Sequence, residues 1–149
     1  MVTWKSELFT FSFGKALVLA QEEANRLACP EPNTEHLLIG MIREGGGVAA
    51  DVLDAFGVGL EKVRPEVEHL IRQRDASLRT PRAREVLVYS VEEMRFHRHD
   101  LVGTGHLLLG VVHETAGGAA QVLRHLGLEL DGIRQEVENR FYLGMEDPG

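Results

Sequence analysis

Apolar residues recur every three or four positions along most of the chain, which is the spacing of one buried face of an α-helix. Four such segments follow one another in the first half, separated by proline and glycine. Their apolar positions are Phe13, Ala16, Leu17, Ala20, Ala24 and Leu27; Leu37 to Ile42; Val48, Ala49, Val52, Leu53 and Phe56; and Leu60, Val63, Val67, Leu70 and Ile71. Strictly alternating segments of useful length are absent, so the pattern predicts an all-α fold.

Residues that start and stop helices flank these segments. Thr10 precedes the first one as a candidate cap, and two prolines end it. Thr34 is expected to cap a second helix from Glu35 to Arg43, before three consecutive glycines break it. Gly57 is expected to terminate the third helix, because glycine adopts the left-handed conformation there without strain.

The chain is also similar to itself. The run NTEHLLIG from Asn33 recurs as GTGHLLLG from Gly103, and about twenty identities fall over about sixty positions at this one offset. Each copy therefore predicts four helices, with repeat 1 over about residues 9–72 and repeat 2 over about 81–143. The connector at 73–80 is short and polar, so the halves are expected to pack as a single domain over residues 1–149.

Composition limits the partners. The 149 residues are 44% hydrophobic and 26% charged, as in an ordinary globular protein. The net charge of −7 argues against a nucleic-acid partner, because phosphates require a basic face. No stretch has the length of a membrane span, and the N-terminus lacks a signal-peptide pattern. The one cysteine, Cys29, cannot form an internal disulfide, so a cytoplasmic protein without membrane contact is expected.

Motifs for catalysis or cofactor binding are weak. The glycines 45–47 are followed by Val48 rather than by the lysine of a phosphate-binding loop. Cys29 has no evident histidine partner in the sequence. His97 and His99 stand two positions apart, and such residues do not share a helix face, so a solvated helix end is expected rather than a metal site. We expect no catalytic residue, no metal and no cofactor, and hence no enzyme.

Matched polar residues open the second helix of each copy. His36 and His106 occupy equivalent first-turn positions, which predicts a packing or hydrogen-bonding role. Thr34 and Thr104 begin helices whose first N–H groups attract anions. Glu35 can pair with a guanidinium, so the first copy offers an anion site beside a cation site, which suits a phosphorylated arginine. The simpler alternative, which the chemistry alone favours, is that Glu35 complements the helix dipole.

Four segments resemble the repeats of Clp N-terminal domains, and most of all those of ClpC unfoldases. They are VLAQEEA at 18–24, NTEHLLIGMIREGGGVAADVL at 33–53, TPRAREVL at 80–87 and GTGHLLLGVVHE at 103–114. The resemblance covers roughly residues 9–143. It implies an eight-helix domain of two pseudo-symmetric four-helix repeats, which precedes ATPase modules in full-length unfoldases and receives adaptors and substrates.

The resemblance also implies a ligand. ClpC-type domains read phosphoarginine through the glutamate of each G-T-E-H motif, which makes Thr34 and Glu35 the first pocket. The second repeat has Gly105 beside Thr104 where the family has glutamate, so the second pocket is expected to be weak or lost. Asn33 replaces the usual glycine, so the first pocket is expected to differ in shape. Some family members are targets of cyclic peptide antibiotics.

The N-terminal segment departs from the resemblance, because MVTWKSEL precedes the family's starting point. This end is rich in large apolar side chains, namely Trp4, Leu8, Phe9, Phe11 and Phe13. We expect the segment to pack on the domain, and the alternative is an exposed contact surface.

Three functions are compatible with the sequence. The favoured one is a non-catalytic binding protein of the Clp protease system, which binds Clp components, adaptors, substrates or peptide ligands such as phosphoarginine and modulates ClpC–ClpP proteolysis. The second is a decoy that sequesters ClpC-directed cyclic peptide antibiotics. The third is an excised N-terminal domain of a full Clp unfoldase, which the extra N-terminal segment and Gly105 make less favoured.

Overall fold

Helices account for the regular structure of the described part of the chain. A computed structural model describes residues 6–73 and 82–148. These residues form a short 3-10 helix, Ser6–Leu8, and eight α-helices, with no strand among them, which confirms the all-α prediction. The helices are α1 (Phe11–Arg26), α2 (Thr34–Glu44), α3 (Val48–Ala55), α4 (Leu60–Gln73), α5 (Ala83–Phe96), α6 (Thr104–His113), α7 (Gly118–His125) and α8 (Leu130–Tyr142).

Some predicted features lie outside the described residues. These are Trp4 and the connector at 73–80 apart from Gln73. None of the helices in the described ranges is both long and apolar enough to cross a membrane.

The helix ends follow the sequence signals with one exception. Thr10 caps α1, because its hydroxyl accepts a hydrogen bond from the N–H of Phe13 at 3.1 Å. Gly57 follows α3 with a φ of +73°, as expected of a terminating glycine. The prediction that Thr34 caps α2 is wrong, since Thr34 is the first residue of α2 and Asn33 is the cap. The extended backbone of Asn33 lets its side-chain oxygen reach the N–H of Thr34, at 2.8 Å.

The repeated glycine at the end of each HLLxG run marks a close contact between two helix backbones. A Cβ added at Gly40 of α2 would lie 2.3 Å from the carbonyl oxygen of Ala16 in α1. The equivalent Cβ at Gly110 of α6 would lie 2.6 Å from the carbonyl oxygen of Val86 in α5. Each repeat therefore requires glycine here so that its first two helices can pack closely.

The two repeats are interlocked. Helix α3 of the first repeat packs against α6 and α8 of the second, and α7 of the second packs against α2 and α4 of the first. Helices α2 and α6 are the most deeply buried, over residues 34–41 and 104–112. A further link joins the segment before α1 to the loop before α6, because the N–H of Thr10 donates to the carbonyl of Val102 at 3.0 Å. This packing brings the start of each central helix next to the opposite repeat.

Candidate functional site

The start of α2 carries the predicted residues Thr34 and Glu35, which we call the first-repeat site. Both are buried, with 0% and 2% of their surfaces exposed. The amide oxygen of Asn33 accepts hydrogen bonds from the N–H of Thr34 at 2.8 Å and of Arg82 at 2.9 Å. The hydroxyl of Thr34 accepts from the N–H of Ala119 at 3.0 Å and so caps α7 of the other repeat. The chain's own atoms therefore already use the polar groups of Thr34.

The start of α6, the second-repeat site, is occupied by a carboxylate from after α8. The Oδ2 atom of Asp147 accepts from the N–H of Thr104 at 2.7 Å and from the hydroxyl of Thr10 at 2.6 Å. Its Oδ1 atom accepts from the hydroxyl of Thr104 at 2.7 Å and from the N–H of Val48 at 2.9 Å. Thr104 also accepts from the N–H of Ala49 at 3.1 Å, as Thr34 does from Ala119. The sequence did not identify Asp147 as a site residue.

An aromatic ring fills the space beside Gly105. A Cβ added at Gly105 would lie 2.7 Å from the ring of Phe141 in α8. The centroid of that ring lies 4.8 Å from the centroids of both His99 and His106, and 5.2 Å from that of His97. The second-repeat site therefore has a phenyl ring against Gly105, which corresponds to Glu35 of the first repeat.

The two central histidines hold the loops before their helices. The Nδ1 atom of His36 accepts a hydrogen bond from the N–H of Asn33, and that of His106 from the N–H of Gly103, each at 2.9 Å. The predicted hydrogen-bonding role is confirmed. In each helix the histidine takes the place that glutamate or glutamine takes in a capping box.

His97 and His99 lie at the end of α5 as expected, but their side chains are half-buried rather than solvated. Helix α5 ends at Phe96, and Arg98 adopts a φ of +57°, which turns the chain so that the rings of His97 and His99 stack with centroids 5.8 Å apart. The rule that residues two apart point to different faces holds only within a helix. No three His, Cys, Asp or Glu side chains within residues 6–73 and 82–148 form a group that could hold a metal ion.

Burial favours the neutral forms of His99 and His106. The Nε2 atom of His106 and the Nδ1 atom of His99 lie 2.7 Å apart. Because Nδ1 of His106 already accepts from Gly103, its Nε2 carries the proton and donates to His99. Burial, followed by the charges of His99 and His97, lowers the pKa of His106 to about 3. Burial and the charge of His97 also lower the pKa of His99.

A separate apolar groove runs between α1 and α5. It encloses about 700 Å³ and is lined by Phe9, Thr10, Phe11, Phe13, Gly14, Lys15, Leu17, Val18 and Leu87. Phe9 and Phe13 stack on each other at 4.7 Å, and Phe13 is buried, so this part of the N-terminal segment packs on the domain as expected. Phe11 and Leu8 instead expose 74% and 45% of their surfaces, which matches the alternative of a contact surface.

These features define an all-α domain of two interlocked four-helix repeats, each built around a buried, threonine-led helix. The chain belongs to the Clp repeat (R) N-terminal domain family, whose sequence model matches residues 8–77 and 78–146.

Curated relatives agree with this family. The chain is 48% identical over 133 residues to the negative regulator of genetic competence ClpC/MecB of Bacillus subtilis, covering 87% of this chain and 16% of that protein. It is 45% identical over 133 residues to the chaperone protein ClpB of Oceanobacillus iheyensis, with the same coverage of 87% and 16%. The chain thus spans about a sixth of the length of these relatives.

Solved structures share the fold. The N-terminal domain of the chaperone ClpD from Arabidopsis thaliana superposes with a TM-score of 0.77 at 20% identity, covering 95% of this chain and 99% of that one. The Hsp104 N-terminal domain from Candida albicans gives a TM-score of 0.68 at 18% identity, covering 87% and 88%. At these identities the likeness shows the fold alone.

Proposed function

We propose that the chain is a non-catalytic binding module of the Clp protease system, which acts in the cytoplasm and takes apolar peptide segments of substrates or adaptors in the α1–α5 groove. The observation that carries this proposal is the exposure of Phe11 and Val18, at 74% and 60%, along a groove of about 700 Å³. A contiguous apolar surface of this kind marks an interaction site, because exposing it to water is unfavourable unless a partner covers it. Binding there would modulate ClpC–ClpP proteolysis.

Fluorescence titration with labelled, unstructured peptides that carry aromatic and aliphatic residues tests the groove. Phe11→Ser should weaken binding at least tenfold, because burying one large apolar side chain contributes about 1.5–3 kcal/mol. Phe96→Ser is the matched control, since Phe96 is 78% exposed and does not line the groove. Equal affinities of both variants and the wild type would refute the groove as the binding site.

The phosphoarginine hypothesis is a finer proposal for the first-repeat site. Glu35, in the first turn of α2, would pair with the guanidinium, and the N–H of Thr34 would donate to the phosphate. Because Asn33 already accepts from that N–H, the phosphate would have to displace its amide oxygen. A charged phosphate oxygen accepts a stronger hydrogen bond than an amide oxygen, which supports the exchange.

Calorimetric titration with a phosphoarginine peptide, beside its unmodified arginine counterpart, tests this site. We expect about one equivalent to bind and the binding to vanish in Glu35→Ala, because the buried carboxylate is the guanidinium's partner. Glu31→Ala is the control, since Glu31 is an exposed carboxylate in the loop before α2. A wild type that does not bind the phosphorylated peptide contradicts the phosphoarginine function and leaves the groove proposal intact.

The groove also favours the decoy as a second candidate function. Its volume falls within the range of about 300–1,000 Å³ that is typical of small-molecule pockets, and its lining is mostly apolar. A cyclic peptide antibiotic with apolar side chains would suit such a site. Overexpression of the wild type should then lower antibiotic susceptibility and overexpression of Phe11→Ser should not. Unchanged susceptibility with the wild type would contradict the decoy.

The third hypothesis places the same domain ahead of ATPase modules. The chain matches about a sixth of the length of its ClpC and ClpB relatives. This match fits an N-terminal domain attached to ATPase modules as well as it fits a separate binding module. In it the groove would receive substrates for the attached motor. The length of the source open reading frame separates the two arrangements.

A further inference from the structure

One charged side chain interrupts the apolar groove between α1 and α5. Among the described residues that line the groove, Lys15 is the only charged one, and its side chain is exposed. It stands one turn after Phe11 and one turn before Val18 on the same face of α1, and both of these apolar side chains are exposed as well. A ligand that covers this face of α1 must therefore also contact Lys15.

The other polar side chain of the lining is already used within the domain. The hydroxyl of Thr10 accepts a hydrogen bond from the N–H of Phe13 at 3.1 Å and donates one to Asp147 at 2.6 Å. Lys15 differs, because no carboxylate within residues 6–73 and 82–148 forms an ion pair with it. The ammonium group of Lys15 is thus the side-chain donor that the groove offers to a ligand.

The ammonium group favours ligands that carry a carboxylate. An apolar ligand that covers Lys15 removes water from the ammonium group without replacing the lost hydrogen bonds, which is unfavourable. A carboxylate beside the apolar part of the ligand restores them with a charge-assisted bond. The described lining holds no carboxylate of its own, although the chain has 23 acidic residues against 16 basic ones. The charge of the groove is therefore opposite to that of the whole chain and complements an acidic group.

The internal repeat shows that this basic group belongs to one side of the groove. At the offset of 70 positions, Lys15 of α1 corresponds to Glu85 of α5, which is exposed and does not line the groove. The two helices that flank the groove thus carry opposite charges at matched positions. A peptide with one acidic residue would therefore bind with that residue towards α1.

We propose that Lys15 determines the specificity of the groove by pairing with a carboxylate of the ligand. The preferred ligands are then peptide segments in which an aspartate or glutamate adjoins the apolar residues that fill the groove. This inference rests on the proposed function, because it names the class of peptide that the same groove takes.

Fluorescence anisotropy with a set of labelled, unstructured peptides tests the pairing. All peptides share the same aromatic and aliphatic residues, and a single glutamate is moved stepwise through the positions between them, each time beside a counterpart with glutamine. At the best position the wild type should bind the glutamate peptide about three- to tenfold more tightly than its glutamine counterpart. Added salt should reduce this ratio, because it screens a pair at the surface.

Substitutions of the lysine assign the preference to one side chain. Lys15→Met keeps an unbranched apolar chain, so it should abolish the preference for glutamate and still bind the glutamine peptide. Lys15→Glu should reverse the preference, so that a peptide with lysine at the same position binds best. Lys62→Met is the matched control and should keep the wild-type ratio, since Lys62 is an exposed lysine of α4 that does not line the groove.

The outcomes separate this inference from the proposed function. A ratio near one at every position in the wild type, or the same ratio in the wild type and in Lys15→Met, would overturn the role of Lys15 and leave the groove intact as the binding site. Failure of every peptide to bind, or affinities that Phe11→Ser does not change, would refute the groove itself and this inference with it.

Discussion

The ring of Phe141 lies where a side chain at Gly105 would begin, 2.7 Å from the position of an added Cβ. The two residues belong to different helices, α6 and α8, and the ring also packs against His106 and His99. Gly105, which stands where the first repeat has Glu35, thus does more than remove a charge. It allows an aromatic contact that a glutamate at the same position would have to displace.

We predict that Gly105→Ala destabilises the fold by about 1–2 kcal/mol, because the added methyl group overpacks against the ring. In a protein that already carries Phe141→Ala, Gly105→Ala should change the free energy of unfolding little, because the ring is gone. A double-mutant cycle measured by urea unfolding should therefore give a clear coupling energy between the two positions. Gly132→Ala is the control, since nothing lies within 4 Å of its added Cβ and alanine favours the helix. Additive effects of Gly105→Ala and Phe141→Ala would contradict the contact.

A buried carboxylate in α1 holds three arginines. Glu23 is 1% exposed, and its oxygens lie 2.6 Å from Arg64, 3.1 Å from Arg26 and 3.4 Å from Arg43. Burial alone would raise the pKa of Glu23, but hydrogen bonds from Arg64 and Arg26 outweigh it and lower the pKa. The carboxylate therefore stays ionised and joins α1, α2 and α4.

Glu23→Gln should lower the free energy of unfolding by about 1–3 kcal/mol, because three cationic partners lose a buried charge. The cost stays below that of a fully buried pair, since the arginines are partly exposed. Glu22→Gln serves as the control with an effect of at most about 0.5 kcal/mol, because Glu22 is 56% exposed. Urea unfolding that gives equal losses for the two variants would show that the network does not stabilise the fold.

The lowered pKa of His106 predicts an acid sensitivity. In the unfolded chain this histidine binds a proton below its usual pKa of 6.5, whereas in the folded chain it does so only near 3. The unfolded state thus binds more protons between these values, and stability must fall as the pH falls through this window. Between pH 7 and pH 5 the expected loss is about 2 kcal/mol.

His106→Gln should remove most of this loss, because glutamine can still accept from the N–H of Gly103 but does not titrate. His69→Gln, at an exposed position in α4, should retain it. Urea unfolding at the two pH values measures the difference, and a loss of the same size in His106→Gln would show that another group is responsible.

The sequence predicts the helices and the repeat because both depend on local patterns, such as the spacing of apolar residues and the glycine that ends each HLLxG run. It also places Thr34 and Thr104 correctly in equivalent positions. It misassigns the cap of α2, because Asn33 and Thr34 are both good caps and only the backbone conformation decides between them.

The contents of the second-repeat site are not predictable in the same way. Phe141 and Asp147 reach it through tertiary packing, and no local pattern connects them to Thr104. One signal was present, since Gly103 has no side chain to cap α6 and a buried helix start requires an acceptor from elsewhere. The sequence could have indicated that an acceptor was needed, but not that Asp147 supplies it.

Degradation of an unfolded model protein by ClpC–ClpP, measured with increasing amounts of this chain, tests the proposed function most directly. The wild type and Phe96→Ser should change the degradation rate equally, and Phe11→Ser should require at least tenfold more protein for the same effect. Two results would contradict a binding role for the α1–α5 groove. In one, the wild type leaves the degradation rate unchanged and binds no Clp component. In the other, the wild type, Phe96→Ser and Phe11→Ser change the rate equally.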